Sequence, residues 1–325
     1  MAQTVAEPFV IAHHICYIID KTVFAPGYFG IVQDPGAADV GLEFLERDVV
    51  IVPSEYFFRD VDSYDTPEGN RGSLGFRLML RSRWYFYAGI FGVFCRSGKL
   101  GMRGKLDGNA QIAMSNINLR LVEKCGGRVH IAGLANLRRA AGKPTVVVAN
   151  HMSLLETGLL HAVMREYLDF SFVVKKSLMD VPYFCEILKA LDAIPVTREN
   201  PREDLKTMLR EGKRILESGR SLIVFPQSTR SDTIDPEKFN SIGVKLAKSA
   251  GAQILPLALK TDFLANGRGI LRDMGPVRPE RRVCFEFAPP LTVSGNGQEE
   301  QHRIVEFIAS RLNVWRGQDA EENRR

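Results

Sequence analysis

Residues 145–156 read TVVVANHMSLLE, and their pattern of a strand followed by a helix is repeated along the rest of the chain. Its first five residues form a short apolar run rich in β-branched side chains, which is typical of a buried strand. The spacing of apolar residues over 154–168 predicts a helix directly after that strand. His151 therefore lies at a strand-to-helix turn, where α/β proteins commonly place ligand-binding residues.

The alternation of strand and helix continues to the end of the chain. Further strands are predicted over 171–174, 193–196, 221–225, 254–259 and 283–287, and further helices over 182–191, 204–217, 239–250 and 298–315. Such alternation predicts an α/β fold in which a mostly parallel sheet is flanked by helices. Functional residues are then expected in the loops that follow the carboxyl ends of the strands.

Composition changes along the chain predict its domain organisation. Of the 325 residues, 45% are hydrophobic and 25% are charged, which excludes a disordered chain, a collagen-like repeat and a polytopic membrane protein. Four regions are predicted: an N-terminal extension of unassigned role over 1–70, a basic and aromatic helical segment over 71–111, the α/β domain over 112–316 and a polar tail over 317–325.

The net charge of +5 conceals an uneven distribution of charged residues. Residues 1–58 contain eight acidic and two basic side chains, whereas residues 71–105 contain eight basic side chains and no acidic one. A concentrated cationic segment of this kind indicates an anionic partner or surface.

The basic segment encloses an apolar run over 84–95, WYFYAGIFGVFC. Twelve residues are too few to cross a bilayer alone, which needs about 20. Aromatic side chains beside Arg and Lys suit the headgroup region, so we expect residues 71–105 to contact the membrane surface. The alternative interpretation is a buried core helix with basic ends. No nucleic-acid partner is expected, because the apolar run suits lipid better than exposed bases.

The first chemical motif is NHMSLLE, in which Glu156 follows His151 by five residues. A carboxylate on the first turns of the helix can reach back to one imidazole nitrogen and fix the tautomer. The other nitrogen is then free to act as a general base. Taken alone, the motif is better explained as a polar helix start with an incidental histidine.

A second motif, FPQSTRS, follows the strand predicted over 221–225. Ser228 and Thr229 supply hydroxyls, and the guanidinium of Arg230 suits bidentate recognition of a phosphate. By itself this stretch also fits a turn with a surface arginine. Two further stretches, IPVTR ending at Arg198 and the strand ILPLALK over 254–260, are weaker again when taken singly.

Together, the order and spacing of the four stretches resemble the phospholipid acyltransferase family, which includes the glycerol-3-phosphate and 1-acylglycerol-3-phosphate acyltransferases. The family's Asn-His-x-x-x-x-Asp, arginine-ending strand, Phe-Pro-Glu-Gly-Thr-Arg-Ser and Val/Ile-Pro-Val strand correspond to NHMSLLE, IPVTR, FPQSTRS and ILPLALK. The resemblance covers residues 112–312, so the α/β domain is expected to be an acyltransferase domain. Glu156 replaces the usual Asp, Gln227 the usual Glu and Ser228 the usual Gly. These departures bear on the acceptor more than on the class of reaction.

The resemblance implies an O-acyltransferase that moves an acyl chain from a thioester, acyl-CoA or acyl-carrier protein, to the hydroxyl of a lysophospholipid. The expected acceptor is 1-acylglycerol-3-phosphate, which would give phosphatidic acid. His151 would be the base and Glu156 would orient it. The acceptor's phosphate would be bound by Arg198, Arg230, Gln227, Ser228, Thr229 and Lys176. The enzyme is expected at the cytoplasmic face of the membrane, as a peripheral or monotopic protein.

No cofactor and no metal are expected, because the chain contains neither His-Glu-x-x-His nor a cysteine cluster. Two alternatives stay open at this point. One keeps the chemistry and changes the acceptor to another lyso-lipid, for instance an ornithine-type lipid. The other is a non-catalytic lipid-binding protein on the same fold.

Overall fold

The computed structural model of the protein describes residues 58–227, 229–267, 274–322 and 324. Two of the sequence-based predictions lie outside these residues. They are the role of Ser228 and that of residues 1–57 of the N-terminal extension.

The core of the domain is an eight-stranded sheet in the order β1-β2-β8-β7-β3-β6-β4-β5. Its strands are β1 (Tyr64–Asp65), β2 (Val129–Ala132), β3 (Thr145–Ala149), β4 (Phe170–Lys175), β5 (Ile194–Val196), β6 (Ser221–Val224), β7 (Gln253–Lys260) and β8 (Val283–Phe287).

The pairing of the strands confirms the predicted α/β class with a mostly parallel sheet. Strand β3 pairs in parallel with β6 and β7, β4 pairs in parallel with β5 and β6, and β2 pairs in parallel with β8. Only the β1–β2 and β7–β8 pairs among the described strands are antiparallel. Every residue of β3 is buried, as expected for a central strand covered on both faces. The carboxyl ends of β3, β6, β4 and β5 therefore meet at one edge.

The helices of the described part of the chain are α1 (Leu74–Leu78), α2 (Arg83–Met102), α3 (Gly108–Lys124), α4 (Leu134–Ala140), α5 (Leu155–Met164), α6 (Phe184–Ala190), α7 (Pro201–Glu217), α8 (Ile242–Ala250) and α9 (Gln298–Glu322). Short 3₁₀ turns cover Lys176–Asp180 and Pro236–Lys238.

The helices cover both faces of the sheet, and each face has its own apolar core. Helices α3, α4 and α5 contribute buried leucines to one core, among them Leu134 and Leu159. Helices α7, α8 and α9 contribute to the other, with Ile215 and Leu246 fully buried. Each such side chain contributes about 1.5–3 kcal/mol on burial. This arrangement fixes the sheet between two helical layers and leaves its carboxyl edge to the loops.

Helix α2 contains the apolar run of residues 84–95, and one side of it belongs to the core. Phe86 and Val93 are buried, and the helix packs against α3 and α6. A Cβ atom on Gly98 would lie 2.4 Å from the Cβ of Tyr183, so a side chain there would force α2 and α6 apart. Among the described helices, none combines the length and apolar character that crossing a bilayer requires.

The domain boundaries differ from the predicted ones at the N-terminal side. Phe58 lies in the core and β1 pairs with β2, so residues 58–70 belong to the α/β domain and not to a separate extension. The predicted boundary between 111 and 112 falls inside α3, which is a continuous helix. Helix α3 packs on α5 through its buried face, which makes it part of the same domain.

The C-terminal side also differs, because α9 continues to Glu322 where a polar tail was predicted from residue 317. The physical reason is an ion pair that local sequence does not reveal. Asp319 is buried and lies 2.6 Å from the ammonium of Lys260 at the end of β7. The last turns of α9 are thereby attached to the sheet.

Candidate active site

Asn150 fixes the turn that carries the predicted base. Its side-chain amide donates to the carbonyl oxygen of Leu259 at 2.7 Å and accepts from the N–H of the same residue at 2.8 Å. These two bonds reproduce the pattern of a backbone ladder, so the pairing of β3 with β7 continues beyond the last strand residue. His151 is therefore held in a defined place at the carboxyl edge of the sheet.

The structure brings His151 and Glu156 together as the sequence predicts. Imidazole Nδ1 lies 2.6 Å from Glu156 Oε2. The Glu156 side chain is fully buried on the first turn of α5, whereas the His151 side chain is 20% exposed. Because the carboxylate oxygen accepts this bond, Nδ1 carries the proton and Nε2 presents its lone pair. Nε2 makes no hydrogen bond to any described residue, which leaves it available to a substrate hydroxyl.

The second oxygen of Glu156 is satisfied inside the protein. Oε1 accepts from the backbone N–H groups of Met152 at 2.7 Å and Ser153 at 2.9 Å, and from the hydroxyl of Thr261 at 2.7 Å. A buried carboxylate without donors would be strongly destabilising. Three donors on one oxygen and the imidazole on the other account for its complete burial.

The loop after β6 contacts the backbone of His151 directly. The side-chain oxygen of Gln227 accepts from the His151 N–H at 2.8 Å, and its amide nitrogen donates to the carbonyl oxygen of Thr233 at 3.0 Å. The N–H of Ser231 donates to the His151 carbonyl oxygen at 2.9 Å. The ring of Phe225 stacks on the imidazole with centroids 4.6 Å apart. The observed contacts of Gln227 are thus with the backbones of His151 and Thr233, and its contact with a phosphate stays a prediction.

Arg198 follows β5 with an unusual backbone conformation. Its φ of 64° lies in the left-handed region, which costs a non-glycine residue on the order of 1–3 kcal/mol. Asp204 offsets this strain by accepting from the N–H groups of Thr197 at 2.8 Å and Arg198 at 2.7 Å. Burial acts to raise the pKa of Asp204, but these hydrogen bonds hold it below its ordinary value. The guanidinium of Arg198 is exposed and hydrogen-bonds to no described residue.

The other predicted phosphate-binding residues share the same edge but are spread along it. Thr229 is exposed and Arg230 half-buried after β6, next to β3, and Lys176 is exposed after β4. Neighbouring strands are about 4.8 Å apart, so the end of β5 with Arg198 lies about 14 Å from the end of β3. The edge therefore places cationic side chains at increasing distances from His151.

Sequence reasoning missed Thr261, whose hydroxyl contacts Glu156 from a position 105 residues away. The available signal was its place directly after β7, the parallel neighbour of the strand that carries His151. Within the ranges that the structure describes, no group of three or more His, Cys, Asp or Glu side chains is arranged to hold a metal ion.

Comparison with known proteins locates the same part of the chain. Residues 128–260 match the family model described as Acyltransferase. A 1-acyl-sn-glycerol-3-phosphate acyltransferase of Pseudomonas aeruginosa is 33% identical over 133 residues, which are 41% of this chain and 49% of the relative. A probable 1-acyl-sn-glycerol-3-phosphate acyltransferase of Mycoplasma pneumoniae is 30% identical over 129 residues, 39% of this chain and 48% of the relative. The chain thus spans about half the length of the curated relatives it matches.

A solved structure shows the same fold. The crystal structure of the 1-acyl-sn-glycerophosphate acyltransferase PlsC of Thermotoga maritima superposes with a TM-score of 0.59 at 19% sequence identity. The match covers 74% of this chain and 97% of that one. Both the α/β class and the mostly parallel sheet are therefore shared with that enzyme. The family match and the relatives agree with the resemblance of the four motifs to the phospholipid acyltransferases, and they locate it in residues 128–260.

Proposed function

We propose that the protein transfers an acyl chain from a thioester to the free hydroxyl of 1-acylglycerol-3-phosphate and so forms phosphatidic acid. The single observation that carries this proposal is the His151–Glu156 pair, in which Nδ1 is bound at 2.6 Å and Nε2 is unengaged by described residues. The names of the relatives support the choice of acceptor.

The chemistry needs no covalent enzyme intermediate. The acceptor hydroxyl lies against Nε2 of His151 and transfers its proton to it while the oxygen attacks the thioester carbonyl carbon. Glu156 stabilises the imidazolium formed in this step. The tetrahedral intermediate then collapses, the carbon–sulfur bond breaks, and the imidazolium returns the proton to the leaving thiolate. General base catalysis of this kind contributes about 10²–10⁴-fold in rate.

The acceptor's phosphate is assigned to the cationic residues of the same edge. Arg230 and Thr229 follow the strand next to His151, and Lys176 and Arg198 lie further out. Charge-assisted hydrogen bonds to phosphate are stronger than neutral ones and fix the orientation of the lipid. The strained backbone and the exposed side chain of Arg198 support this role, since strain of this kind clusters at functional sites.

The membrane contact proposed for residues 71–105 is supported by one exposed corner. Between α1 and α2, apolar side chains face solvent: Leu74 is 68% exposed, Leu78 73%, Leu80 90% and Trp84 51%. We call these four residues the α1–α2 corner. Arg77 and Arg81 are exposed beside it, and each Arg near an anionic leaflet contributes about 1 kcal/mol to the free energy of membrane binding. Contiguous exposed apolar side chains with a cationic rim fit a peripheral lipid contact.

A coupled thiol-release assay tests the reaction. The purified chain is incubated with acyl-CoA or acyl-carrier protein and with 1-acylglycerol-3-phosphate in detergent, and phosphatidic acid is measured by mass spectrometry. Product is expected from the wild type and from His302→Ala, which alters an exposed histidine of α9. His151→Ala is expected to lose activity by at least about a hundredfold. Undiminished activity of His151→Ala would refute the assignment of the base.

The same assay separates the alternatives. A panel of lyso-lipids that includes an ornithine-type acceptor identifies the acceptor by its kcat/KM. If the ornithine-type lipid is acylated and 1-acylglycerol-3-phosphate is not, the ornithine-type lipid would replace the proposed acceptor. Binding of lyso-lipid without thiol release from either donor would instead support a non-catalytic lipid-binding protein.

A further inference from the structure

Two hydroxyl groups lie behind the base, and neither belongs to the motifs that predict the reaction. Ser153 and Thr261 are almost completely buried. Ser153 Oγ lies 2.9 Å from Thr261 Oγ1, and Thr261 Oγ1 lies 2.7 Å from Glu156 Oε1. Buried hydroxyls in a chain of this kind are geometrically restrained, because each must keep its partners.

The direction of the hydrogen bonds follows from the number of protons available. The hydroxyl of Ser153 accepts from the N–H of Leu155 at 3.1 Å and donates to Thr261. The single hydroxyl proton of Thr261 is then directed at Glu156. Met152 and Ser153 also donate to this carboxylate through their backbones, but both belong to the turn between β3 and α5. Among described residues, Thr261 is the one donor that reaches Glu156 from another strand.

The backbone of Thr261 is itself fixed on both sides. Lys260 is 1% exposed and its ammonium lies 2.6 Å from Asp319 of α9 and 2.8 Å from Asp262. The N–H of Thr261 contacts the sulfur of Met152 at 3.3 Å. These ion pairs therefore fix Lys260 and Asp262, the residues before and after Thr261. The position of the Thr261 hydroxyl is restricted as a result.

We propose that Thr261 is a positioning residue for acyl transfer: its hydroxyl donates to Glu156 Oε1, so that Oε2 remains the oxygen that accepts from His151. The inference rests on the proposed function for its effect on rate, but not for its effect on the histidine. His151 is the only titratable partner of Glu156 among the described residues. Without the Thr261 donor, the negative charge of the carboxylate is less compensated by hydrogen bonds, so the carboxylate attracts the protonated imidazole more strongly.

Three variants test the proposal. Thr261→Val removes the hydroxyl at nearly constant shape, Thr261→Ser restores it, and Thr145→Val makes the same change at a buried threonine at the opposite end of β3. Carbethoxylation of His151, followed by peptide mass spectrometry from pH 5 to 9, reports the unprotonated imidazole without any substrate. Thermal unfolding of each variant is measured in parallel.

The midpoint of His151 modification is expected to move to higher pH in Thr261→Val and to return in Thr261→Ser, while Thr145→Val stays at the wild-type value. In the acyl-transfer assay, Thr261→Val is expected to lose about ten- to a hundredfold in kcat at neutral pH, with KM little changed. An unmoved midpoint in a folded Thr261→Val protein would overturn the inference. If the midpoint moves in Thr261→Val but the wild type transfers no acyl chain, the proposed function is refuted and the Thr261–Glu156–His151 coupling remains established.

Discussion

The side-chain oxygen of Gln227 accepts a hydrogen bond from the backbone N–H of His151, with 2.8 Å between the oxygen and the nitrogen. The other end of the same amide donates to the Thr233 carbonyl oxygen at 3.0 Å. One side chain thus joins the loop after β6 to the turn after β3. An amide performs both tasks because it carries an acceptor and a donor, whereas an ionised glutamate only accepts.

Gln227 is therefore expected to affect turnover more than acceptor binding. Gln227→Leu leaves the His151 N–H without its acceptor, so kcat should fall about tenfold. Gln227→Glu keeps that acceptor and loses the donor to Thr233, so its loss should be smaller. Steady-state kinetics with varied 1-acylglycerol-3-phosphate provides the measurement. A rise in KM in both variants at unchanged kcat would instead assign Gln227 to the phosphate.

Arg198 and Arg230 are expected to act through the phosphate. Replacing either by Ala should raise KM for 1-acylglycerol-3-phosphate about ten- to a hundredfold, the effect of losing a charged hydrogen bond. Arg202→Ala is the matched control, since Arg202 is an exposed arginine of α7. With a monoacylglycerol acceptor, which has no phosphate, the three variants should behave alike. Equal KM values for the phosphorylated acceptor in all three would contradict the assignment.

The α1–α2 corner is expected to bind anionic vesicles. Replacing Leu78 and Leu80 by Ser should weaken binding by removing exposed apolar area, and replacing Arg77 and Arg81 by Gln should also remove its dependence on salt. Activity on detergent-dispersed substrate should be largely retained. Sedimentation with vesicles of anionic phospholipid measures the effect, and Val314→Ser alters an exposed valine of α9 as the control. Wild-type sedimentation of both corner variants would show that the corner is not the contact.

His161 is expected to make the fold sensitive to acid. Burial, with a smaller effect from the charge of Arg165, lowers the pKa of His161 to about 3 from an ordinary value of 6.5. The unfolded chain binds this proton below pH 6.5 while the folded protein resists it until about pH 3. Stability therefore falls as pH drops through this window.

Urea unfolding at pH 7 and pH 5 measures this contribution. The loss of unfolding free energy between the two should be about 2 kcal/mol larger in the wild type than in His161→Leu. His302→Leu, at an exposed position, should retain the wild-type loss. Identical losses in the wild type and His161→Leu would show that His161 does not carry the acid sensitivity.

Much of the fold could be predicted because its signals are local. Strand β3 has the predicted bounds, because a short run of buried β-branched residues between turns strongly favours a strand. The contact of His151 with Glu156 could also be predicted, because the two residues are only five positions apart, on either side of the start of a helix. The role of Thr261 and the end of α9 depend on partners that are distant in sequence. The position of Asp319 is explained by its ion pair with Lys260, and the hydrophobic periodicity of neither segment predicts that pair.

The paired hydrogen bonds between Asn150 and Leu259 also determine how long the site persists. To separate His151 from its neighbours, the chain must first break two buried bonds that join central strands. Local fraying, which opens loops and chain ends at little cost, does not reach them. The amide proton of Leu259 should accordingly exchange with solvent only when the whole domain opens. The position of His151 at the end of β3 then has the lifetime of the folded state itself.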